Sequence, residues 1–532
     1  MYRWLKECHF SHALCGQKQV DFVPRRLLRI ESATEETTVR LVENLQYDEA
    51  QWAALSYVWG GVQTFQTTAA SFVSMQAGFR AQDLPPTLQD AVTVCIAMSL
   101  DYLWVDSLCI IQDDDEDLAR ELASMPQIYQ RAWVTISAST AASVSEGFLQ
   151  KRCYSHQALP ISLPYLPDEG SDTGEIIYVR HESGCGDKTE YINERAWTYQ
   201  ERRLSPRVLD FRHNHVALYC YEGKRCQGDG SKRWKKPTWN HLAAATHEQR
   251  LYQPLLSHEE LPPWHGIVDE YAIRRTSFPS DKLTALSALA DLYKQSTGHT
   301  YIAGLWKESL MKDLCWSTRG GDIFWRPDVY RAPSWSWAAV DVARPAGAVS
   351  HSMHHRINDL TKNPKTTIMD FAIEQEPPNT TFGKIHAGFL ELRAPVLWTE
   401  WPSHDESMAR MNLSPSVSVK VFQDAKEHGR LDWEVIPVLA VLLMQQVHPR
   451  RKPYDGLPND MYHWLPRKDY SRQYRARIKR DRGSFTHHGL MLVEDPPGKY
   501  RRIGMFVWEM NRNHAEDRRL HARFRVRTIT IL

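Results

Sequence analysis

From residue 51 onward the chain alternates short apolar runs with longer segments in which apolar residues recur every three or four positions. The short runs predict buried strands, and the longer segments predict helices with one buried face. Five strands with helices among them are expected at 53–58, 102–105, 133–137, 207–211 and 215–220. Because strands separated by helices pair in parallel, we expect an α/β domain whose parallel sheet is flanked by helices.

Two of these helices have recognisable beginnings. Pro86 stands where proline is favoured, in the first turn of the helix that follows the first strand. The acidic run 113–117 opens the next helix, where carboxylates complement the helix dipole. Pro126 lies inside that second helix, so we expect the helix to be kinked or split there.

Polar and aromatic side chains follow the first two strands. Ser56, Tyr57 and Trp59 come at the end of the first strand, and Asp106 comes at the end of the second. In open α/β sheets, ligands bind at the carboxyl ends of the strands. We therefore expect these side chains near a site, with a turn-capping role as the structural alternative for Asp106.

A third polar segment opens the helix predicted at 197–204. Arg195 precedes this helix, and Trp197 and Glu201 lie four residues apart on it. That spacing places Trp197 and Glu201 on one helix face. The structural alternative is a core Trp197 beside a surface Glu201 that pairs with Arg202 or Arg203.

Beyond residue 222 the pattern changes twice. Residues 223–330 are mainly helical in pattern, most clearly at 281–290 and again at 301–316. A polar stretch at 346–365 predicts a linker. Short apolar runs then recur, which predict a β-rich module with strands at 389–394, 417–422, 435–443, 490–493 and 503–508.

Composition narrows the function classes. The 532 residues include 65 basic and 64 acidic side chains, so bulk attraction to nucleic acid or an anionic membrane is not expected. The 19 Trp residues, Trp335 and Trp337 among them, are expected mainly in the core. The nine Cys show no repeated spacing, the start of the chain has no signal-like apolar region, and the longest apolar run is too short for a membrane span. These features predict a soluble, cytoplasmic protein.

Two clusters of candidate ligands are assigned no role. Cys8, His9, His12 and Cys15 lie close together, but their spacing fits no standard zinc finger and no second ligand pair follows, so we predict no metal site. The basic residues of 472–482 are expected to form a solvated loop, with phosphate or nucleic-acid binding as the alternative.

Several runs resemble the fungal heterokaryon incompatibility (HET) domain over about residues 20–345. They are PRRLL at 24–28, SYVWG at 56–60, LWVDSLCIIQDD at 103–114, RAWTYQER at 195–202 and PSWSW at 333–337. The resemblance implies a cytosolic fungal protein of innate immunity, linked to non-self recognition and programmed cell death. HET domains are in turn thought to be distantly related to the Toll/interleukin-1 receptor (TIR) domain, which implies a TIR/flavodoxin-like sheet.

The TIR likeness also implies an activity. TIR enzymes that cleave NAD use a glutamate in a similar WxxxE segment, and in this chain that position is Glu201. The likeness thus makes Glu201 the candidate catalytic carboxylate of an NAD nucleosidase. Six further side chains could hold the base, ribose or phosphates of NAD, namely Ser56, Tyr57, Trp59, Asp106, Arg195 and Trp197.

We accordingly divide the chain into an N-terminal arm (1–50), a HET core (51–222), a helical extension (223–345), a linker (346–365) and a β-rich module (366–532). NAD is expected as a substrate, with no tightly bound cofactor. One alternative is a non-enzymatic signalling module that acts by homotypic assembly. A weaker alternative is a nucleotide- or nucleic-acid-binding regulator. Candidate partners are a homo-oligomer formed on activation and a protein of an incompatibility system, while membranes and nucleic acid are not expected.

Overall fold

The computed structural model describes most of the chain, with gaps. It covers residues 1–15, 22–32, 36–45, 51–61, 63–150, 190–213, 215–227, 264–317, 323–343, 361–376, 382, 384–402, 409–414, 417–424, 435–447, 484–511 and 514–532, and the backbone of 161–165 and 175–179. The chain forms two compact units. The first comprises Met1–Leu261 and Arg274–Thr276, and the second comprises Pro262–Ile273 and Ser277–Leu532.

The first unit contains eleven described strands and six described helices. The strands are β1 (Arg26–Ser32), β2 (Thr37–Glu43), β3 (Trp52–Ser56), β4 (Phe79–Arg80), β5 (Tyr102–Trp104), β6 (Val134–Ser137), β7 (Ile161–Tyr165), β8 (Glu175–Val179), β9 (Arg207–Phe211), β10 (Val216–Cys220) and β11 (Gly223–Cys226). The helices are α1 (Tyr2–Ser11), α2 (Phe72–Ala77), α3 (Pro86–Ala97), α4 (Asp106–Cys109), α5 (Asp115–Arg131) and α6 (Trp197–Leu204).

A nine-stranded sheet in the order β11-β10-β9-β6-β3-β5-β1-β2-β4 forms the centre of this unit. Its four middle strands, β9, β6, β3 and β5, are parallel. Every residue of β3, β6 and β9 is buried. This explains why β3 and β6 are mostly apolar runs in the sequence. β9 also contains two buried charged residues, Arg207 and Asp210. The alternating α/β pattern is therefore confirmed.

The outer strands run antiparallel, so the sheet is mixed and the expectation of a parallel sheet is wrong for its edges. β1 pairs with β2 and β5, and β10 pairs with β9 and β11, all antiparallel. Short connections can only return a chain antiparallel to the preceding strand. The N-terminal arm thus contributes two paired strands, β1 and β2, close to one edge of the sheet.

The two helices with predicted beginnings form as expected. Pro86 is the first residue of α3. The side chain of Asp114 caps α5, because it accepts hydrogen bonds from the backbone N–H groups of Glu116 and Asp117. The helix continues through Pro126, so it is not split there.

The second unit is built from five described helices and thirteen described strands. The helices are α7 (Trp264–Tyr271), α8 (Asp281–Thr284), α9 (Ser287–Thr297), α10 (Leu310–Asp313) and α11 (Ala515–His521). The strands are β12 (Tyr301–Ile302), β13 (Leu305–Trp306), β14 (Ile323–Trp325), β15 (Asp341–Ala343), β16 (Thr361–Lys362), β17 (Thr367–Glu376), β18 (Lys384–Pro402), β19 (Ala409–Ser414), β20 (Val417–Gln423), β21 (Val435–Val447), β22 (Ser484–Glu494), β23 (Tyr500–Asn511) and β24 (Arg525–Ile531).

The helix predicted at 301–316 is wrong over its first half. β12 and β13 form a small hairpin there, and only Leu310–Asp313 is α-helical. Ala303 and Gly304 connect the two strands with φ of 47° and 92°. Positive φ at both central residues is typical of the tight turn that closes a two-residue hairpin.

The predicted β-rich module is confirmed. Nine strands, β16 to β24, form one sheet that is antiparallel except where β23 meets β24. Trp335 and Trp337 of the second unit are completely buried, as expected for core residues. Trp335 lies in a turn and Trp337 begins a 3-10 helix.

Some predictions fall outside the described residues. The expected linker lies largely in 344–360, and the basic cluster lies wholly in 448–483. The five-part division of the chain stays a prediction. No helix within the described ranges is long and apolar enough to cross a membrane.

Candidate functional site

The candidate site lies at the carboxyl end of β3, the strand on which the parallel part of the sheet is centred. Ser56 is the last residue of β3 and pairs with Ser137, the last residue of β6. β5 lies on the other side of β3, and α4 begins with Asp106 directly after it. α6 packs against β3 and α5, and so brings Glu201 to the same end of the sheet.

Glu201 contacts Ser56 directly. The Ser56 hydroxyl donates a hydrogen bond of 2.5 Å to Glu201 Oε2, and only 7% of Glu201 is exposed. Burial raises the pKa of Glu201 to about 7, against an ordinary value of 4.5. The hydrogen bond from Ser56 and the positive charge of Arg195 act in the opposite direction, and the carboxyl group of Asp106 adds to the rise.

The second carboxyl group of the site belongs to Asp106, which is held by two neighbours. Trp59 Nε1 donates to Asp106 Oδ2 at 2.9 Å, and the backbone N–H of Ser107 donates to Oδ1 at 2.7 Å. The Tyr57 hydroxyl donates to Ser107 Oγ at 3.0 Å. Burial raises the pKa of Asp106, while Arg195 and the Trp59 hydrogen bond lower it. Asp106 is thus the first residue of α4 and accepts a backbone hydrogen bond in its first turn, but it does not cap the helix as the structural alternative expected.

Gly60 fixes the turn that directs Trp59 towards Asp106. Its φ is +76°, a conformation that favours glycine. A Cβ atom at this position would lie 2.1 Å from Ser143 Cβ. The last residue of the SYVWG run is thus required by backbone conformation and by space.

Arg195 places a positive charge near the Glu201 carboxyl group. Its Nη1 donates to the carbonyl oxygen of Tyr57 at 2.9 Å, and its charge lowers the pKa of both acids. Trp197 begins α6 and is half-buried. The structure thus gathers Ser56, Tyr57, Trp59, Asp106, Arg195 and Glu201 around one strand end, and places Trp197 one helical turn from Glu201.

The structural alternative for Glu201, a surface residue paired with Arg202 or Arg203, is wrong. Glu201 is buried and does not pair with either neighbouring arginine in a surface ion pair. Arg202 instead forms a buried ion pair with Asp210 of β9, with a distance of 2.9 Å between Nη1 and Oδ2. Arg203 lies over the ring of Tyr199 at 5.2 Å.

Two residues of this site were not identified from the sequence. Ser107 is fully buried. Its hydroxyl accepts a hydrogen bond from Tyr57, and its backbone N–H donates one to Asp106. The Tyr129 hydroxyl lies near the Glu201 carboxyl group and donates to the carbonyl oxygen of Leu55 at 2.9 Å. Tyr129 lies on the apolar face of α5, so its spacing indicates a core residue and gives no signal for a site.

The arrangement offers two acids of raised pKa, one arginine and several aromatic side chains in largely buried surroundings. A carboxylate that ionises here stabilises nearby positive charge more strongly than it would in water. A carboxyl group whose pKa is near 7 can also accept and release a proton at neutral pH. The arrangement can therefore stabilise positive charge and exchange a proton at neutral pH.

One of three comparisons with known proteins gives a match. No curated protein and no solved structure matches the chain. Residues 52–201 match the family model described as "Heterokaryon incompatibility protein (HET)", a range that runs from the first residue of β3 to Glu201 and includes all seven candidate residues. The match supports a heterokaryon incompatibility (HET) domain in the first unit of this chain.

Proposed function

We propose that the chain is a cytoplasmic effector of heterokaryon-incompatibility type, acting in fungal non-self recognition and programmed cell death, and that its HET domain hydrolyses NAD. The family match supports the first part of the proposal. The observation that carries the second part is the position of Glu201, a buried carboxyl group held by Ser56 at the carboxyl end of the parallel strands.

The order of the parallel strands favours a nucleotide ligand at this place. In space the order is β5-β3-β6-β9. The connection after β3 therefore leads to its neighbour on one side, β5, and the connection after β6 leads to its neighbour on the opposite side, β9. Where neighbouring connections diverge in this way, the sheet has a switch point, and open α/β sheets bind nucleotides in the crevice there. Counted along the chain this order is 2-1-3-4, which is consistent with a flavodoxin-like and TIR-like arrangement.

The proposed reaction breaks the bond between nicotinamide and ribose. The electron pair of the C–N bond leaves with nicotinamide, which departs neutral, so no general acid is required. Positive charge develops on the ribose, and an ionised Glu201 stabilises it. Water then supplies hydroxide to the ribose carbon. Glu201 can accept the proton of that water, because its pKa is about 7.

The surrounding side chains have supporting roles in this proposal. Ser56 orients the Glu201 carboxylate through its hydrogen bond. Arg195, whose guanidinium lies at the same strand end, pairs with the pyrophosphate. Asp106 accepts a hydrogen bond from a ribose hydroxyl. The rings of Trp59 and Trp197 offer faces on which a base can stack.

The test is nicotinamide release from NAD by the purified full chain, measured over time and protein concentration. The wild type is compared with Glu201→Gln, which keeps the size of the side chain. Glu190→Gln is the matched control, because Glu190 is also a buried glutamate whose pKa is raised by burial to about 7, and it lies outside the candidate site. We expect release by the wild type and by Glu190→Gln, and none by Glu201→Gln.

Two outcomes contradict the proposal in different ways. Full activity of a folded Glu201→Gln variant would show that Glu201 is not the catalytic residue. No release by the folded wild type at any concentration would reject NAD hydrolysis and favour the non-enzymatic module that acts by homotypic assembly. Concentration-dependent oligomers would then support that second function.

A further inference from the structure

Four metal-binding side chains from two distant parts of the chain meet in the first unit. They are Cys8, His12, Cys15 and Cys220. One ligand atom from each, a sulfur or a ring nitrogen, lies within 4.8 Å of all the others. None of the four lies within the residues that match the HET family model, so this cluster is independent of the proposed reaction.

Local structure brings three of these ligands together. Cys8 lies in α1, and His12 follows one turn later at the end of the helix, where its backbone N–H donates to the carbonyl oxygen of Cys8. Residues four apart in a helix share one face. Cys15 follows in the turn after the helix, and the backbone N–H of Leu14 in that turn donates to Glu222 Oε1 at 2.7 Å.

The fourth ligand comes from the edge of the sheet. Cys220 is the last residue of β10, just before the turn at 221–222 that leads into β11. Its sulfur lies 3.4 Å from His12 Nδ1. The hydrogen bond between Leu14 and Glu222 holds this turn against the loop that carries Cys15.

The distances suit a tetrahedral zinc ion. With Zn–S near 2.3 Å and Zn–N near 2.0–2.1 Å, tetrahedral geometry places two sulfurs about 3.8 Å apart and a sulfur and a nitrogen about 3.6 Å apart. The observed separation of 3.4 Å between Cys220 Sγ and His12 Nδ1 lies close to the second value. Since all pairs of ligand atoms lie within 4.8 Å, none exceeds the tetrahedral separations by more than about 1.2 Å.

Burial and charge agree with a metal. The thiols of Cys8, Cys15 and Cys220 are buried and form no disulfide. As thiolates around a divalent cation they would leave one net negative charge in the interior, and such a charge needs a partner. The buried guanidinium of Arg207 lies beside the cluster, where it donates to the carbonyl oxygen of Cys15 and lies 4.7 Å from the Trp133 ring.

We propose that Cys8, His12, Cys15 and Cys220 bind a structural Zn²⁺ ion that fastens α1 to the edge strand β10. Three cysteines and one histidine are a common structural zinc set, and a site with four protein ligands leaves no open position for catalysis. The spacing of the first three residues did not predict this site, because the fourth ligand is 205 positions beyond Cys15 in the sequence. His9 is not a ligand, since its ring packs on Trp133 at 4.5 Å.

The experiment measures the zinc content of the purified full chain by elemental mass spectrometry, with thermal unfolding in parallel. The variants are Cys15→Ser and Cys220→Ser. Cys226→Ser is the matched control, because Cys226 lies in the same hairpin but outside the cluster. We expect about one zinc per chain in the wild type and the control, and background zinc in the two variants.

A second measurement uses only the wild type, and so tests the proposal even if the variants fail to fold. A strong chelator added to the wild type should lower the unfolding temperature, and Zn²⁺ but not Mg²⁺ should restore it. Co²⁺ in place of Zn²⁺ should give the intense visible bands of tetrahedral thiolate coordination. A metal-free wild type, equal zinc in wild type and Cys220→Ser, or a disulfide among these cysteines would each overturn the proposal.

Discussion

Replacing Glu201 by Gln should make the free energy of unfolding less dependent on pH, because the wild-type carboxyl group is buried. Glu201 is buried, and burial raises its pKa to about 7 from an ordinary value of 4.5. Between these values the folded chain keeps a proton that the unfolded chain has released. The free energy of unfolding therefore falls as pH rises from about 4.5 to about 7, and the Glu201 contribution is constant above that range.

The magnitude follows from the two pKa values. A difference between 4.5 and about 7 corresponds to about 3 kcal/mol of differential interaction with the charged form. Gln has nearly the same volume, and its amide oxygen can still accept the hydrogen bond from Ser56. Since Gln does not ionise, Glu201→Gln should be more stable than the wild type by up to about 3 kcal/mol at pH 8. The difference should vanish near pH 4.5.

Urea unfolding of both proteins at several pH values between 4.5 and 8 measures this difference. Glu190→Gln should show a pH trend of the same sign, because burial also raises the pKa of Glu190 to about 7. If NAD hydrolysis requires Glu201, only Glu201→Gln combines a gain in stability with loss of nicotinamide release. A stability difference that is independent of pH would refute the argument from burial.

Two further predictions concern the ion pair of Arg202 in the same helix and the hydroxyl group of Ser56. Asp210→Ala removes the carboxylate that forms an ion pair with the buried Arg202, and it should lower the free energy of unfolding by about 3–5 kcal/mol, measured in urea. Asp83→Ala, in an exposed ion pair, should leave the free energy of unfolding almost unchanged, and equal effects of the two variants would contradict this expectation. Ser56→Ala removes a hydrogen bond that lowers the pKa of Glu201, so the rise of NAD cleavage with pH should move to higher pH. An unchanged pH profile would show that Ser56 does not position the carboxylate.

The sequence predicts the parts of this fold that depend on local pattern. Buried runs at 53–58, 102–105 and 133–137 correspond to β3, β5 and β6 with errors of one or two residues. Because parallel strands end at one edge, the closeness of Ser56 and Asp106 could also be expected before the structure. Polar residues at the ends of apolar strands are thus informative about a site.

What the sequence does not predict depends on contacts between distant residues or on turn geometry. Apolar residues at 302, 305, 306 and 310 have helical spacing, yet a hairpin with a two-residue turn places 302 and 305 opposite each other. The burial of Glu201 could not be predicted either, because a glutamate beside two arginines is typical of an exposed helix face. The zinc cluster requires Cys220, whose proximity to α1 follows only from the order of strands in the sheet.

The buried contacts of α6 explain how Glu201 is held in its position. Each charged side chain of this short helix has a separate neighbour: Ser56 of β3 for Glu201, Asp210 of β9 with Ser137 of β6 for Arg202, and the Tyr199 ring for Arg203. Rotating the helix by one residue would bury all three groups without these contacts, at a cost of several kcal/mol. A buried ion pair adds little net stability over apolar packing, but it can select one arrangement among several. We therefore interpret the pair of Arg202 and Asp210 as the contact that fixes the position of Glu201. The conservative variant Arg202→Lys should then weaken NAD cleavage more than its loss of stability alone would cause.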